Sequence, residues 1–169
     1  MSLKKTNRTI HKWVSIIIAI PLLVILITGA LLLVKKEFSL LQPPTMKGLE
    51  QKPTIAFSQI LTIAKTIEKA EITSWQDVDR LDVRPSKGII KIRAKNRLEI
   101  QIDASNGKVL HIAQRNSDFI ESIHDGTFFE KNANLWLMLP VAIASLIMLI
   151  TGVILFFISY LKKSKGKTI

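Results

Sequence analysis

Two long stretches of the chain carry no charge at all, and the patterning between them is of a different kind. From Trp13 to Val34 there are 22 consecutive uncharged residues, most of them Ile, Leu and Val. At helical rise this run covers about 33 Å, enough to cross a hydrocarbon layer of about 30 Å. A second uncharged run, Leu135 to Leu161, ends in lysines as the first does. The chain is therefore expected to cross a bilayer twice. The first run is too long for the apolar core of a signal peptide, and Lys35-Lys36-Glu37-Phe38 follows it in place of small residues at a cleavage site.

Between the two runs the period changes. Phe38 to Lys52, with Pro43-Pro44 and Gly48, reads as an extended linker, because paired prolines resist helix. Over Thr54 to Ala70, Phe57, Ile60, Leu61, Ala64 and Ile67 recur at helical spacing, with Ser58 a plausible N-cap. Beyond Trp75 apolar residues alternate with polar ones: Leu81 and Val83; Ile90, Ile92 and Ala94; Leu98, Ile100 and Ile102; Val109, His111 and Ala113. The breaks Pro85-Ser86-Lys87-Gly88, Lys95-Asn96-Arg97 and Ser105-Asn106-Gly107 have turn chemistry, the last favouring a tight hairpin. One helix on an antiparallel sheet of three or four strands hides both apolar faces. The expected architecture is an α+β membrane protein with two transmembrane helices flanking an extracytoplasmic domain. Its segments are a basic N-terminus (1–12), a first span (13–34), a linker (35–53), the α+β domain (54–115), a histidine-containing connector (116–134), a second span (135–161) and a basic C-terminus (162–169).

Charge fixes the expected orientation. The formal net charge is +11, of which Lys4, Lys5, Arg8 and Lys12 at one end and Lys162, Lys163, Lys165 and Lys167 at the other supply eight, with no acid among them. Basic residues flanking spans stay on the cytoplasmic side, so both termini are expected there and residues 35–134 outside. Lys35 and Lys36 oppose this mildly, but long segments translocate largely regardless of charge. The basic balance is thus a topology signal, and nucleic acid is not an expected partner. Trp13 and Tyr160 are expected at the inner interface and Trp136 at the outer one. There is no cysteine, which excludes disulfides, thiolate metal sites and a cysteine nucleophile. No phosphate-binding loop, nucleophile and base pair, or carboxylate pair stands out, so hydrolytic and nucleotide-dependent chemistry is not expected.

Several of these segments resemble a known family. Leu98 to Leu110, with Asp103, Gly107, Lys108 and Val109, looks like the recurring hairpin of the PepSY domain. Ile123-His124-Asp125-Gly126-Thr127-Phe128-Phe129 followed by a span with Thr151-Gly152 resembles the PepSY-associated transmembrane family, and Arg8-Thr9-Ile10-His11 before a span with Thr28-Gly29 is similar to its opening. The better-known members, siderophore reductases among them, have more spans than the two here. The resemblance implies a periplasmic PepSY module in an inner membrane and, in reductase-like members, haem b held by membrane histidines.

Only three histidines exist, His11, His111 and His124. Without cysteine, imidazole is the leading axial ligand for haem iron, methionine the second. His11 at the inner end of the first span and His124 on the outer side stand about a membrane thickness apart and cannot clamp one iron together. A two-fold homodimer would pair each with its own copy. Gly29 lies five turns beyond His11 on the same helix face, and Gly152 lies at the depth of His11, so Thr28, Gly29, Thr151 and Gly152 join the two histidines as candidate cofactor-binding residues. The same Thr-Gly pairs are also helix-packing features. His111, on the face of Val109 and Ala113, reads as a sheet residue, and Asp125 either supports an imidazole or serves a turn. Two functions are expected to compete. One is a haem-binding electron-transfer component or a subunit of a membrane reductase. The other is a non-redox accessory whose PepSY domain binds or regulates a partner, such as a protease or a larger membrane complex.

Overall fold

A computed structural model describes residues 3–165, with the side chains of Leu3 and of residues 162–165 left aside; Lys167, in the expected basic C-terminus, lies outside the described residues. Two compact units are present, residues 32–119 and the pair of segments 1–31 and 120–169.

In the second unit the long helices dominate. Helix α1 runs Leu3–Leu33, continuous through Pro21. Helix α2 (Phe57–Lys65) belongs to the other unit, α3 spans Asn116–His124 and α4 spans Leu139–Lys165. A π-helical turn, Asn134–Met138, leads into α4. Pro140 has no N–H to close an ordinary α-turn there, and a wider turn absorbs the missing donor. Only 11% of the most apolar window of either long helix is buried, so these are not core helices of a water-soluble fold. Most of their Ile, Leu, Val and Phe side chains face outward, with Trp13, Trp136 and Tyr160 more than half exposed, as lipid-facing residues must be.

The other unit is a four-stranded antiparallel meander in the order β1 (Val78–Arg84), β2 (Ile89–Ala94), β3 (Leu98–Asp103), β4 (Val109–Gln114). Ile90, Ile92, Ile100 and Ile102 project from one face onto Ile60 and Ala64 of α2, and this is the core. Helix α2 starts one residue before Ser58. Its N-cap is Ala56, whose N–H donates to Gln59 Oε1 at 3.1 Å, and Ser58 instead accepts the Thr62 hydroxyl on its carbonyl. The helix stops at Lys65, short of Ala70; Ile67 leaves helical dihedrals and a single 3₁₀ turn, Glu68–Ala70, follows.

β2 and β3 are buried on both faces, which a one-helix sheet does not require. The linker supplies the second cover. It crosses the polar face as a strap: Met46 N–H donates to Gln101 Oε1 at 2.9 Å, Gln101 Nε2 to the Pro44 carbonyl at 2.7 Å, and Leu49 N–H to Asp103 Oδ2 at 2.6 Å. Gly48 lies so close to the β1–β2 turn that a Cβ there would run into the Gly88 carbonyl. Beneath the strap Glu99, fully buried, accepts from Lys91 Nζ at 3.0 Å, Gln101 Nε2 at 2.8 Å and Arg115 Nη1 at 2.6 Å. Burial pushes the Lys91 ammonium pKa down, and the bond to Glu99 opposes the shift. Asp103 gathers Ser105 N–H, Ser105 Oγ and Asn106 N–H on one oxygen and Leu49 N–H on the other, which holds its carboxyl at about 2.

A bulge corrects one expectation. Ile102 pairs with Val109 but Gln101 pairs with His111, so an extra residue intervenes in β4 and the alternation slips. His111 keeps the face of Ala113 and loses that of Val109, and it sits beside Gln101 on the polar side.

Candidate functional site

The two long helices meet along a seam that can be read from burial. On α1 the shielded positions include Asn7, His11, Val14, Ile18, Pro21, Ile25 and Thr28, separated alternately by four and three, with Lys4, Ser15, Leu22, Gly29 and Leu32 also shielded. On α4 they are Val141, Ala144, Met148, Thr151, Leu155 and Ile158, with Ser145 and Gly152 alongside. A 3.5-residue repeat is the spacing at which one helix lies along another. The pair is antiparallel, because the start of α1 meets the late part of α4: Asn7 Nδ2 donates to the Thr151 carbonyl at 2.9 Å.

His11 sits on this seam and His124, the last residue of α3, sits against the far end of α1, and each is matched to a Thr-Gly pair of another helix. His11 Nδ1 lies 2.9 Å from Thr151 Oγ1. At the other end His124 Nδ1 lies 2.9 Å from Thr28 Oγ1. The glycines repeat the relation. A Cβ on Gly152 would lie 3.3 Å from His11 Cε1, and one on Gly29 would lie 3.3 Å from His124 Cε1. The two ends are thus copies of one arrangement, exchanged between the helices: α1 gives a histidine first and a Thr-Gly pair last, and the α3–α4 segment does the same.

Neither threonine is free to rotate. Thr28 Oγ1 lies 2.7 Å from the Val24 carbonyl and 3.2 Å from that of Ile25. Thr151 Oγ1 lies 2.8 Å from the Ile147 carbonyl and 3.0 Å from that of Met148. Such bonding to the preceding turn satisfies a hydroxyl where water is absent. Thr28 and Thr151 are also the least exposed polar residues of the two helices, at 8% and 7%.

Beside His11 the surface of α4 opens into a groove of about 520 Å³, lined by His11, Met148, Leu149, Gly152, Val153 and two phenylalanines, Phe156 and Phe157. It is an apolar, flat-sided recess with one imidazole at its edge. A bare metal ion is poorly served there, since the described residues hold no group of three or more His, Asp or Glu that could hold one. A haem requires less of the protein, because its macrocycle provides the equatorial ligands and the chain need give only axial ones and apolar contact. One imidazole, one glycine beside it and an apolar recess fit that demand.

Asp125 is occupied elsewhere. Its Oδ1 accepts from Thr127 N–H at 2.9 Å and from the Thr127 hydroxyl at 2.6 Å, so it serves the turn after α3. His111 lies in the sheet unit with its Nδ1 buried and, among the described residues, without a partner. His11 and Thr28 are separated on α1 by 17 residues, about 26 Å, so the two histidine sites stand far apart along the helix pair. The glycines were legible in the sequence as places of close approach. The hydroxyl partnership was not, although a threonine before the glycine in both spans was its visible trace.

Comparison with known proteins gives one finding of similarity. The family model of the PepSY-associated TM region matches residues 8–168. No curated protein and no solved structure matches the chain.

Proposed function

Because the chain belongs to the family of the PepSY-associated TM region, we propose that this membrane protein is a haem b-binding electron-transfer component with His11 and His124 as axial ligands at two separate sites. The observation that carries the proposal is the duplication: both membrane histidines contact a Thr-Gly pair with the same 2.9 Å and 3.3 Å geometry. Helix packing alone would need small residues, but it would not need a histidine at each.

Haem, when bound, supplies a one-electron couple. The residues of the chain hold and shield it. His11 and His124 present imidazole nitrogen, Gly29 and Gly152 leave room beside each ring, and Phe156 and Phe157 exclude water from the groove next to His11. Each site has one histidine, so a second copy of the chain, related by an axis along the membrane normal, would supply the other imidazole. The lysine distribution supports cytoplasmic termini and an extracytoplasmic sheet unit in a bacterial-type plasma membrane. His11 would then lie toward the cytoplasm and His124 toward the outer acceptor.

The test is a reduced-minus-oxidised absorbance spectrum of the full chain purified in mild detergent from haem-supplied cells. Bands of b type at two haems per dimer are expected, and His11→Ala or His124→Ala should each remove one. A colourless protein overturns the proposal, and one that also retains a partner only while its sheet unit is intact favours the accessory reading.

A further inference from the structure

We propose that Thr28 and Thr151 are positioning residues that fix His124 and His11 as Nδ1–H tautomers, so that the Nε2 lone pair of each imidazole is held free. A threonine hydroxyl has one hydrogen. At both sites its oxygen lies closer to a carbonyl of the preceding turn, at 2.7 or 2.8 Å, than to the imidazole, at 2.9 Å. A carbonyl can only accept, so the hydroxyl hydrogen goes there. The lone pairs left on Oγ1 then face Nδ1, and Nδ1 must bring the proton. A neutral imidazole protonated at Nδ1 carries its lone pair at Nε2.

Among the described residues neither Nε2 has a hydrogen-bond partner. A basic nitrogen held this way is uncompensated wherever water is excluded, and a ligand to it removes that cost. The opposite tautomer would give Nε2 a proton with no acceptor and would abolish ligation. Hydroxyls in this role do what a carboxylate or carbonyl does behind many ligating histidines, fixing ring and tautomer together. Here they do so without a charge, which suits the interior of a bilayer. The consequence for cofactor binding rests on the haem reading above; the tautomer itself does not.

The test is ¹⁵N nuclear magnetic resonance of the ¹⁵N-histidine-labelled full chain in detergent micelles, haem-free, with His11→Gln, His111→Gln and His124→Gln used for assignment. His11 and His124 are expected to show a protonated Nδ1 and a bare Nε2. Thr151→Val should shift only the His11 pattern toward Nε2–H and Thr28→Val only that of His124, whereas Thr151→Ser and Thr28→Ser should keep the native pattern. Protonated Nε2 in the wild-type protein, or valine variants with unchanged patterns, overturns the inference. Haem titration of the same samples separates the two claims. A weakening of about 10- to 100-fold at one site per valine variant, restored by serine, supports both, while native tautomers in a protein that takes up no haem support the positioning role and overturn the proposed function.

Discussion

The sheet unit and the helix pair both bury polar side chains, but they treat them in opposite ways. Under the strap, Glu99 receives three donors and Arg115 also reaches Asp118 through Nε at 3.0 Å, so the buried charges are bound to one another. On the helix seam each imidazole is bound through one nitrogen only. A saturated network is a structural device: it specifies where the strap lies and offers nothing to a ligand. A half-satisfied ring, repeated at both ends of a helix pair, is what a binding site leaves open. Burial of polar groups alone does not mark function: among the described residues His111 Nδ1 and Arg93 Nε in the sheet unit are also buried without a hydrogen-bond partner, and what sets the other two histidines apart is the repeated Thr-Gly setting.

The largest effect should come from breaking the saturated side. Glu99→Ala leaves Lys91 buried without its counter-charge and Arg115 with Asp118 alone, and loss of one partner in such a cluster costs about 3–5 kcal/mol. Denaturant unfolding of the full chain in detergent should show it; a change below about 1 kcal/mol would mean that the cluster does not hold the sheet unit together.

The histidines should behave in the reverse manner. His11→Ala removes one hydrogen bond within the helix pair, where such bonds are worth about 0.6 kcal/mol. Thermal stability should scarcely move while half of the b-type absorbance disappears. His111→Ala should leave the absorbance unchanged, because that ring lies in the sheet unit. Equal loss of colour in both variants would erase the distinction between the two regions.

A smaller effect tests the glycines. Gly152→Ala places a methyl 3.3 Å from His11 Cε1, tighter than comfortable contact, so the ring must yield by a few tenths of an ångström. The expected result is a shift in the position or potential of one haem with little change in content. Gly29→Ala should do the same to the other, and a variant indistinguishable from wild type in both would show the spacing to be slack.

Much of this was legible beforehand, for reasons that differ between the regions. Two uncharged runs of membrane length and four short alternating runs announce themselves, since hydrocarbon burial and strand alternation each act through sequence-local period. The strap was not legible. Residues 43–49 look like a spacer, and only the contacts of Gln101 and Asp103 reveal a cover for the polar face. Alternation in β2 and β3 puts Lys91, Glu99 and Gln101 on a face normally left to water, so their burial depends on a partner distant in sequence. Helix α3 was hidden by a related cause. Phe119, Ile120 and Ile123 recur at helical spacing after Asn116-Ser117-Asp118, but nine residues are too few to stand out by period. The slip at Val109 is a bulge, which adds a residue without any compositional mark. At the site, the depth matching of His11 with Gly152 followed from helical rise, whereas the threonine contacts needed rotamers.

The smallest effect concerns acid. Asp103 ties the strap to the β3–β4 turn, and hydrogen bonds from Ser105, Leu49 and Asn106 hold its carboxyl at about 2. A carboxyl whose pKa is lower in the folded state than in the unfolded chain, where it is about 3.9, contributes stability above that unfolded value. The contribution is lost as pH falls from about 4 toward 2. Asp77, held at about 2 by Thr73 and Ser74, follows the same sign in the same window. Neither titrates near neutrality. Unfolding of the full chain followed between pH 7 and pH 2 should show a decline beginning near pH 4, and Asp103→Asn should be less stable at pH 7 with a shallower decline. The helix pair has no carboxylate on its seam, so the pH dependence of haem absorbance should be the same in the wild-type protein and Asp103→Asn, while that of the sheet unit differs. If colour and sheet structure vanish together in both proteins, the two units share one cooperative transition, and the separation between saturated and open polar sites would have to be drawn within a single folding unit.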